Sequence, residues 1–408
     1  MLESPSHLRL SLVCARGTPV ADMLAHSPPL PLIIDGFFDY NEIATEDEQR
    51  IALALQHRDR VRRICLRGSE SILQRLIKSL DGEFPILEYL SIEPKWILGS
   101  FGDDGNFPET FRAPHLRHVF LASFDNPIEF PLLATTTGLV TLSLDSIPCS
   151  ASFDSIFLFQ RVSLMPHLEI LRIYFEHYHP SQLLRTPIIT RVTLPNLRWF
   201  GFKGDSAYLE VLLPLVTFPV LEKLQVHFFT GLTFPIPRLQ QFMSTMENLW
   251  PNTITLTFQS RCVEIMAYPY ERARVYTLSV SIDGRRLDRQ VASAAQVCRT
   301  LRTVFSSVEH LTIKYYGIIK SSLFRVPDRT QWRELLGSFV NVKTLFMDSD
   351  YVRQLSDALQ PDEGESPTEL LPELQELSCS AGTFSVDVFT PFIDARERAG
   401  RPVTLIRV

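Results

Sequence analysis

The residues with the clearest potential for chemistry are His177 and His179, with Glu176 beside them. On an extended segment, two histidines two apart share one face and could supply two metal ligands. A metal centre needs further donors. The six cysteines, Cys14, Cys65, Cys149, Cys262, Cys298 and Cys379, are scattered and form no C-x-x-C pair. The histidine segment therefore reads as a polar loop after a strand. Asp103-Asp104-Gly105-Asn106 lacks the alternating acids and terminal glutamate of a calcium loop, so it reads as a turn. Gly201-Phe202-Lys203-Gly204 has the spacing of an RNA-binding G-x-x-G loop, but it falls inside an apolar strand pattern. The G-x-S-x-G, G-x-G-x-x-G, Walker and H-E-x-x-H spacings do not occur. No catalytic, metal or cofactor site is expected, and the chain is expected not to be an enzyme.

The remaining chemistry is that of binding, and composition narrows it. The chain has 40 basic and 46 acidic residues and a formal net charge of -6. A generic nucleic-acid binder would carry a basic excess, so no nucleic-acid partner is expected. The densest basic cluster, Arg58, Arg60, Arg62, Arg63 and Arg67, reads as a solvated helix end running into a strand. There is no run of about 18 apolar residues, so no membrane span is expected. The apolar stretch from Leu10 to Cys14 is too short for a signal-peptide core. With single scattered thiols, this points to the cytoplasm or nucleus. The 28 prolines against 17 glycines also lean away from a nucleotide-binding enzyme rich in glycine loops.

A repeat organises the chain. The pattern apolar-Pro-x-Leu, followed by x-x-apolar-x-apolar, occurs at Phe84-Pro85-Ile86-Leu87, Ala113-Pro114-His115-Leu116 and Met165-Pro166-His167-Leu168. It recurs at Leu194-Pro195-Asn196-Leu197, Phe218-Pro219-Val220-Leu221 and Leu371-Pro372-Glu373-Leu374. Chance would supply about one match. Looser copies without proline begin at Val61, Leu139, Val308 and Val342. From Leu87 to Leu221 the spacings are 29, 23, 29, 29 and 24 residues. Two degenerate strands, Thr253 to Phe258 and Tyr276 to Val280, fill the gap to Val308.

L-x-x-L-x-L puts the first leucine at a bend and the next two apolar residues inward along a short strand. Strands from successive copies then stack in parallel. Helical spacing marks return segments at Ser69 to Leu80, Ala207 to Val216, Arg238 to Leu249 and Arg289 to Phe305. Further ones are Thr330 to Phe339, Tyr351 to Leu359 and Val386 to Arg398. Thr45 and Glu48 could form a capping box ahead of the repeats. The expected fold is α/β, a leucine-rich-repeat solenoid or horseshoe. Its parallel sheet is concave, with helices or irregular turns on the convex side. Residues 1–58 form an N-terminal cap and 59–408 the irregular repeat domain.

The chain resembles the F-box/leucine-rich-repeat-like proteins of mushroom-forming fungi (basidiomycetes). Leu8-Arg9-Leu10 through Cys14-Ala15-Arg16-Gly17-Thr18-Pro19-Val20 is similar to their segment after the F-box. His57-Arg58-Asp59-Arg60-Val61-Arg62-Arg63-Ile64 and Phe84-Pro85-Ile86-Leu87-Glu88-Tyr89-Leu90 resemble their first repeats. The resemblance implies a substrate-recognition subunit of a Skp1–cullin–F-box ubiquitin ligase, with the target held by the repeats. An F-box needs roughly forty residues with a Leu-Pro-x-Glu opening. Only seven residues precede Leu8. Binding of a Skp1-type adaptor is therefore expected only where an F-box is supplied. A stand-alone interaction or scaffold protein is the alternative.

The residues flanking the strand apolars face outward and predict a protein-binding surface. Candidates along it include Arg63, Tyr89, Ser91, His118, Phe120, Thr141, Ser143, Lys223, His310, Phe346 and Ser378. Binding hot spots favour Trp, Tyr and Arg. The site is accordingly expected at Arg172, Tyr174, Trp199, Lys203, Gln225 and His227, with Phe120.

Overall fold

A computed structural model describes residues 11–38, 45–94, 107–124, 127, 130–148, 155–176, 191–231, 236–316, 326–362, 364–380 and 386–407. His177, His179 and the segment Asp103 to Asn106 lie outside these residues. The chain forms two compact units. The first holds Met1–Arg198 with Leu215–Val220, and the second holds Trp199–Pro214 with Leu221–Val408.

The first unit carries β1 (Leu12–Ala15), β2 (Leu32–Phe37), β3 (Val61–Gly68) and β4 (Tyr89–Pro94). β5 (His118–Ala122), β6 (Thr141–Ile147) and β7 (Ile170–Phe175) follow. β1 to β7 pair in chain order, and every pair is parallel. Equivalent repeat positions lie opposite one another: Leu90, Val119, Leu142 and Leu171 are in register. β1 and β2 thus belong to the same sheet as β3. Leu30-Pro31-Leu32-Ile33 runs into β2. A short β8 (Val192–Thr193) stands outside this sheet.

Apolar-Pro-x-Leu is a turn. The leucine N–H donates to the carbonyl of the apolar residue three back in five copies: Leu87 to Phe84, Leu116 to Ala113, Leu168 to Met165, Leu197 to Leu194 and Leu374 to Leu371, at 3.1–3.3 Å. Proline at the second turn position presets φ and removes an N–H that the turn does not use. The leucine then enters the core. Leu87, Leu116, Leu139 and Leu197 are fully buried, as are Leu90, Ile92, Val119, Leu142, Leu144, Leu171 and Ile173 on the strands. Each such side chain stabilises the fold by about 1.5–3 kcal/mol.

Helices return the chain between strands: α1 (Val20–His26), α2 (Thr45–Gln56), α3 (Glu70–Lys78), α4 (Pro131–Thr135) and α5 (Ser155–Val162). α3 buries Ile72, Leu73, Leu76 and Ile77, the stripe that the sequence spacing predicts. The Thr45 side chain, half of the expected capping box, lies outside the described residues, while Glu48 is held from the next helix. Its carboxylate accepts both Arg75 nitrogens, at 2.6 and 2.8 Å, because α3 packs beside α2 and brings the guanidinium within reach.

The second unit begins at β9 (Trp199–Gly204) and α6 (Ser206–Leu212). β10 (Val216–Thr217) belongs to the first unit and pairs with β8, so the helix expected over Ala207 to Val216 ends early in a strand. β11 (Lys223–Phe228), β12 (Thr253–Gln259), β13 (Cys262–Tyr268) and β14 (Leu278–Asp283) follow. Then come β15 (His310–Tyr316), β16 (Thr344–Met347), β17 (Glu376–Cys379) and β18 (Thr404–Arg407). The spatial order is β9-β11-β14-β13-β12-β15-β16-β17-β18.

This order departs from simple stacking. β14 pairs parallel with β11 and β12 parallel with β15, as repeat strands would. Between them lies β13, antiparallel to both and absent from the sequence expectation. The chain leaves β11, forms β12 three places away and reverses through Ser260 and Arg261. β13 and β14 then fill the gap backwards. A two-residue connection permits only antiparallel neighbours. α7 (Pro237–Ser244), α8 (Leu287–Thr300), α9 (Arg329–Leu336), α10 (Val352–Leu359) and α11 (Thr390–Arg398) complete the unit. α8, α9 and α10 pack side by side.

Candidate functional site

Alternation along each strand sends one set of side chains into the core and the other to the opposite face. On that opposite face of the first unit, the Arg63 guanidinium lies 4.1 Å from the centre of the Tyr89 ring. Tyr89 in turn packs on Phe120, with centroids 5.3 Å apart, and on His118 at 6.2 Å. His118 Nδ1 is 3.1 Å from Thr141 Oγ1. Arg67 pairs with Glu93 at 3.1 Å, and Ser91 Oγ donates to the same carboxylate at 2.7 Å. Burial raises the Tyr89 phenol, so it stays a neutral donor. Arg172 and Tyr174 stand half-buried on β7.

In the second unit, Lys223 is the centre of a sandwich. Its ammonium lies 4.0 Å from the Trp199 ring centre and 3.9 Å from that of Tyr276. Tyr276 Oη donates to Gln225 Oε1 at 3.3 Å. Lys203 is in register with His227, whose Nε2 lies 2.9 Å from Asp283 Oδ1. Farther along, Lys314 approaches the Phe346 ring at 5.9 Å and His310 Nδ1 meets Thr344 Oγ1 at 2.8 Å.

The fold therefore brings Trp199, Lys203, Gln225 and His227 together on β9 and β11. Arg172, Tyr174 and Phe120 belong to the first unit and are placed on the same side of its own strands. Trp199 is not an open aromatic surface, because Lys223 covers its ring. Some positions read as outward are closed over: Ser91, Thr141, Ser143 and Ser378 are buried. Strands are about 4.8 Å apart, so long side chains on both neighbours meet above a short one. Ser91 sits between Cys65 and Phe120, and Ser143 between Phe120 and Arg172.

Tyr276 and Asp283 were missed as partners of this surface. Both become neighbours of β11 only because β14, not β12, pairs with it. His227, Asp283 and Cys262 carry the residue types of a nucleophilic site. Burial raises the Cys262 thiol, and Asp283 and Glu264 oppose ionisation further, so the thiolate that such chemistry needs is disfavoured. Among the described residues, no three His, Cys, Asp or Glu side chains are placed to hold a metal ion. No helix among them is long and apolar enough to cross a membrane.

A scan against protein-family models finds no match, and a search of curated proteins finds no similar sequence.

Proposed function

We propose that the chain is a non-catalytic leucine-rich-repeat solenoid that binds a protein target through the strand face opposite its core. The observation that carries the reading is the concentration of Trp, Tyr, Phe, Arg and Lys on that face. The Trp199–Lys223–Tyr276 sandwich and the Arg63–Tyr89–Phe120 stack are its densest parts. Solvent alone does not select such side chains, whereas interface hot spots are enriched in them. Their mutual packing holds them rigid, which lowers the entropy cost of binding. The regular turn at each Pro-x-Leu and the in-register leucines support the repeat assignment.

The resemblance extends the proposal to target recognition for a Skp1–cullin–F-box ubiquitin ligase. The test has two arms. Immobilised chain should retain a target protein that the Trp199→Ala, Tyr174→Ala double variant loses while still folding. Unchanged capture refutes the surface. Purified Skp1 should bind when an F-box is fused ahead of residue 1, with the target still held. Capture of the target with no gain of ubiquitin transfer in the reconstituted ligase would leave a stand-alone interaction protein.

A further inference from the structure

The reversed strand order of the second unit opens a pocket at the carboxyl ends of its strands. β14 lies beside β11 and parallel to it, so the two strands end next to each other. The helix after β14 is α8, whereas the chain after β11 goes on to α7 and β12. Thr230 and Gly231, just past β11, therefore run close to the start of α8. A Cβ on Gly231 would lie 3.1 Å from Ser293 Oγ. Between these segments is a cavity of about 670 Å³. One wall is pinned by Gln290, whose Nε2 donates to the Gln259 carbonyl at 2.8 Å and the Gly284 carbonyl at 2.6 Å. The space outside parallel strand ends, beside a helix N-terminus, is where α/β sheets hold anions.

The charge of this cavity is one-sided. Arg285, Arg286 and Arg289 all line it. Arg286 is held by both carboxylate oxygens of Asp288. The acid in the lining, Asp283, is held at 2.9 Å by His227 on the strand face. Arg285 and Arg289 are exposed and make no ion pair or side-chain hydrogen bond among the described residues. Arg261, also exposed, stands beside the rim, its carbonyl accepting the Gly284 N–H at 2.7 Å. Two cationic side chains of the lining are thus uncompensated. The N-cap of α8, Arg286, supplies no side-chain acceptor to the N–H groups of the first turn. Thr230 and Ser293 add hydroxyls to the lining. Gln290, which is buried and also lines the cavity, has an Oε1 without a hydrogen-bond partner. No aromatic side chain is among the described lining residues, so none is there to stack a base.

We propose that this pocket binds a small sugar phosphate, with the phosphate on Arg285, Arg289 and the first turn of α8 and the sugar hydroxyls toward Thr230, Gln290 and Ser293. Two free guanidiniums match the double charge of a phosphate monoester, where a carboxylate would leave one of them unanswered. The cavity is larger than a phosphate alone and within the range of small-molecule sites. Its neutral polar groups suit hydroxyls, and its lack of rings favours a sugar over a nucleotide. The pocket stands apart from the strand face proposed above, and each reading can fail without the other.

The probe is ribose-5-phosphate, followed by the broadening of its phosphorus NMR resonance when the full chain is added. Ribose-5-phosphate should bind. Inorganic phosphate should compete more weakly, and acetate at equal ionic strength should not compete. Arg285→Gln and Arg289→Gln should each weaken binding roughly tenfold, the loss expected for one charge-assisted contact. Ala292 is exposed on α8 and lines the pocket, so Ala292→Glu should weaken binding more than Ala292→Gln, which adds the same bulk without the charge. Arg299→Gln, at the other end of α8, should leave it unchanged. Adenosine monophosphate and a phosphoserine pentapeptide should bind no tighter than ribose-5-phosphate. No binding of ribose-5-phosphate, full binding by a folded variant lacking both arginines, or competition by acetate equal to that by phosphate overturns the proposal. Tighter binding of the nucleotide or the phosphopeptide overturns the choice of a sugar phosphate.

Discussion

Replacing Arg396 by alanine is expected to destabilise the second unit by about 3–5 kcal/mol, from the cavity it leaves and from buried carbonyls stranded at about 1–3 kcal/mol each. Arg396 sits on α11, is fully buried, and makes no ion pair among the described residues. Its guanidinium reaches four backbone carbonyls in the turn before β17. Nη2 donates to Leu374 at 3.0 Å and Pro372 at 3.2 Å, and Nη1 to Leu371 at 3.3 Å, with Pro367 at 3.5 Å. The first three are hydrogen bonds by distance and the last is marginal. Charged hydrogen bonds contribute about 1.5–3 kcal/mol each before desolvation, and burying the cation costs several kcal/mol in return. Burial accordingly pushes the guanidinium pKa down. The native net gain is therefore modest, while truncation strands the carbonyls beside a cavity. Arg396→Met strands the same carbonyls and sheds the same desolvation penalty but fills most of the volume, so it should cost about 2 kcal/mol less than alanine, the share of the cavity. Urea unfolding with hydrogen exchange across α11 and β17 measures both. If Arg396→Ala costs less than about 1 kcal/mol, or if the methionine variant is the worse of the two, the pinning argument fails.

Three further outcomes are expected. In a double-mutant cycle, Lys223→Met with Tyr276→Leu should show a coupling of about 0.5–1 kcal/mol in urea unfolding, the range for a part-exposed cation over a ring; additive effects would mean that the sandwich is incidental. Hydrogen bonding from Lys343 holds the Glu309 carboxyl below its ordinary value of 4.5. Its contribution to stability is then full above that value and lost as pH falls through the depressed one, and Lys343→Met should return the titration, followed by carboxyl NMR, to the ordinary position. Burial raises the Cys298 thiol and pushes Cys379 up to about 11, so both should resist a thiol reagent in the native state while half-exposed Cys262 reacts before either; prompt labelling of Cys298 would contradict the packing of α8.

The local rules were legible because they are local. Pro-x-Leu specifies a turn within four residues, and L-x-x-L-x-L specifies which side chains enter the core within six. Both hold wherever the structure describes a copy, including Leu87, Leu116 and Leu197. α3 and its buried stripe follow in the same way from a period of 3.6 residues. The strands β1 and β2 lack the full repeat pattern and were not separable from loops by spacing alone. Thr253 to Phe258 alternates equally well for a parallel or an antiparallel neighbour, so nothing in it announces β13 or the reversed order around it.

The sequence by itself determined the repeat period, the turns and the inward leucines, because each depends on residues a few positions apart. Only the tertiary structure decided which charges meet. Lys223 is enclosed by Trp199 and Tyr276, 51 residues separating Tyr276 from its hydrogen-bonding partner Gln225. Arg396 is buried among carbonyls. The physical reason is register. Neighbouring strands place side chains about 4.8 Å apart whatever their distance in the chain, and a reversed strand changes every pairing beside it.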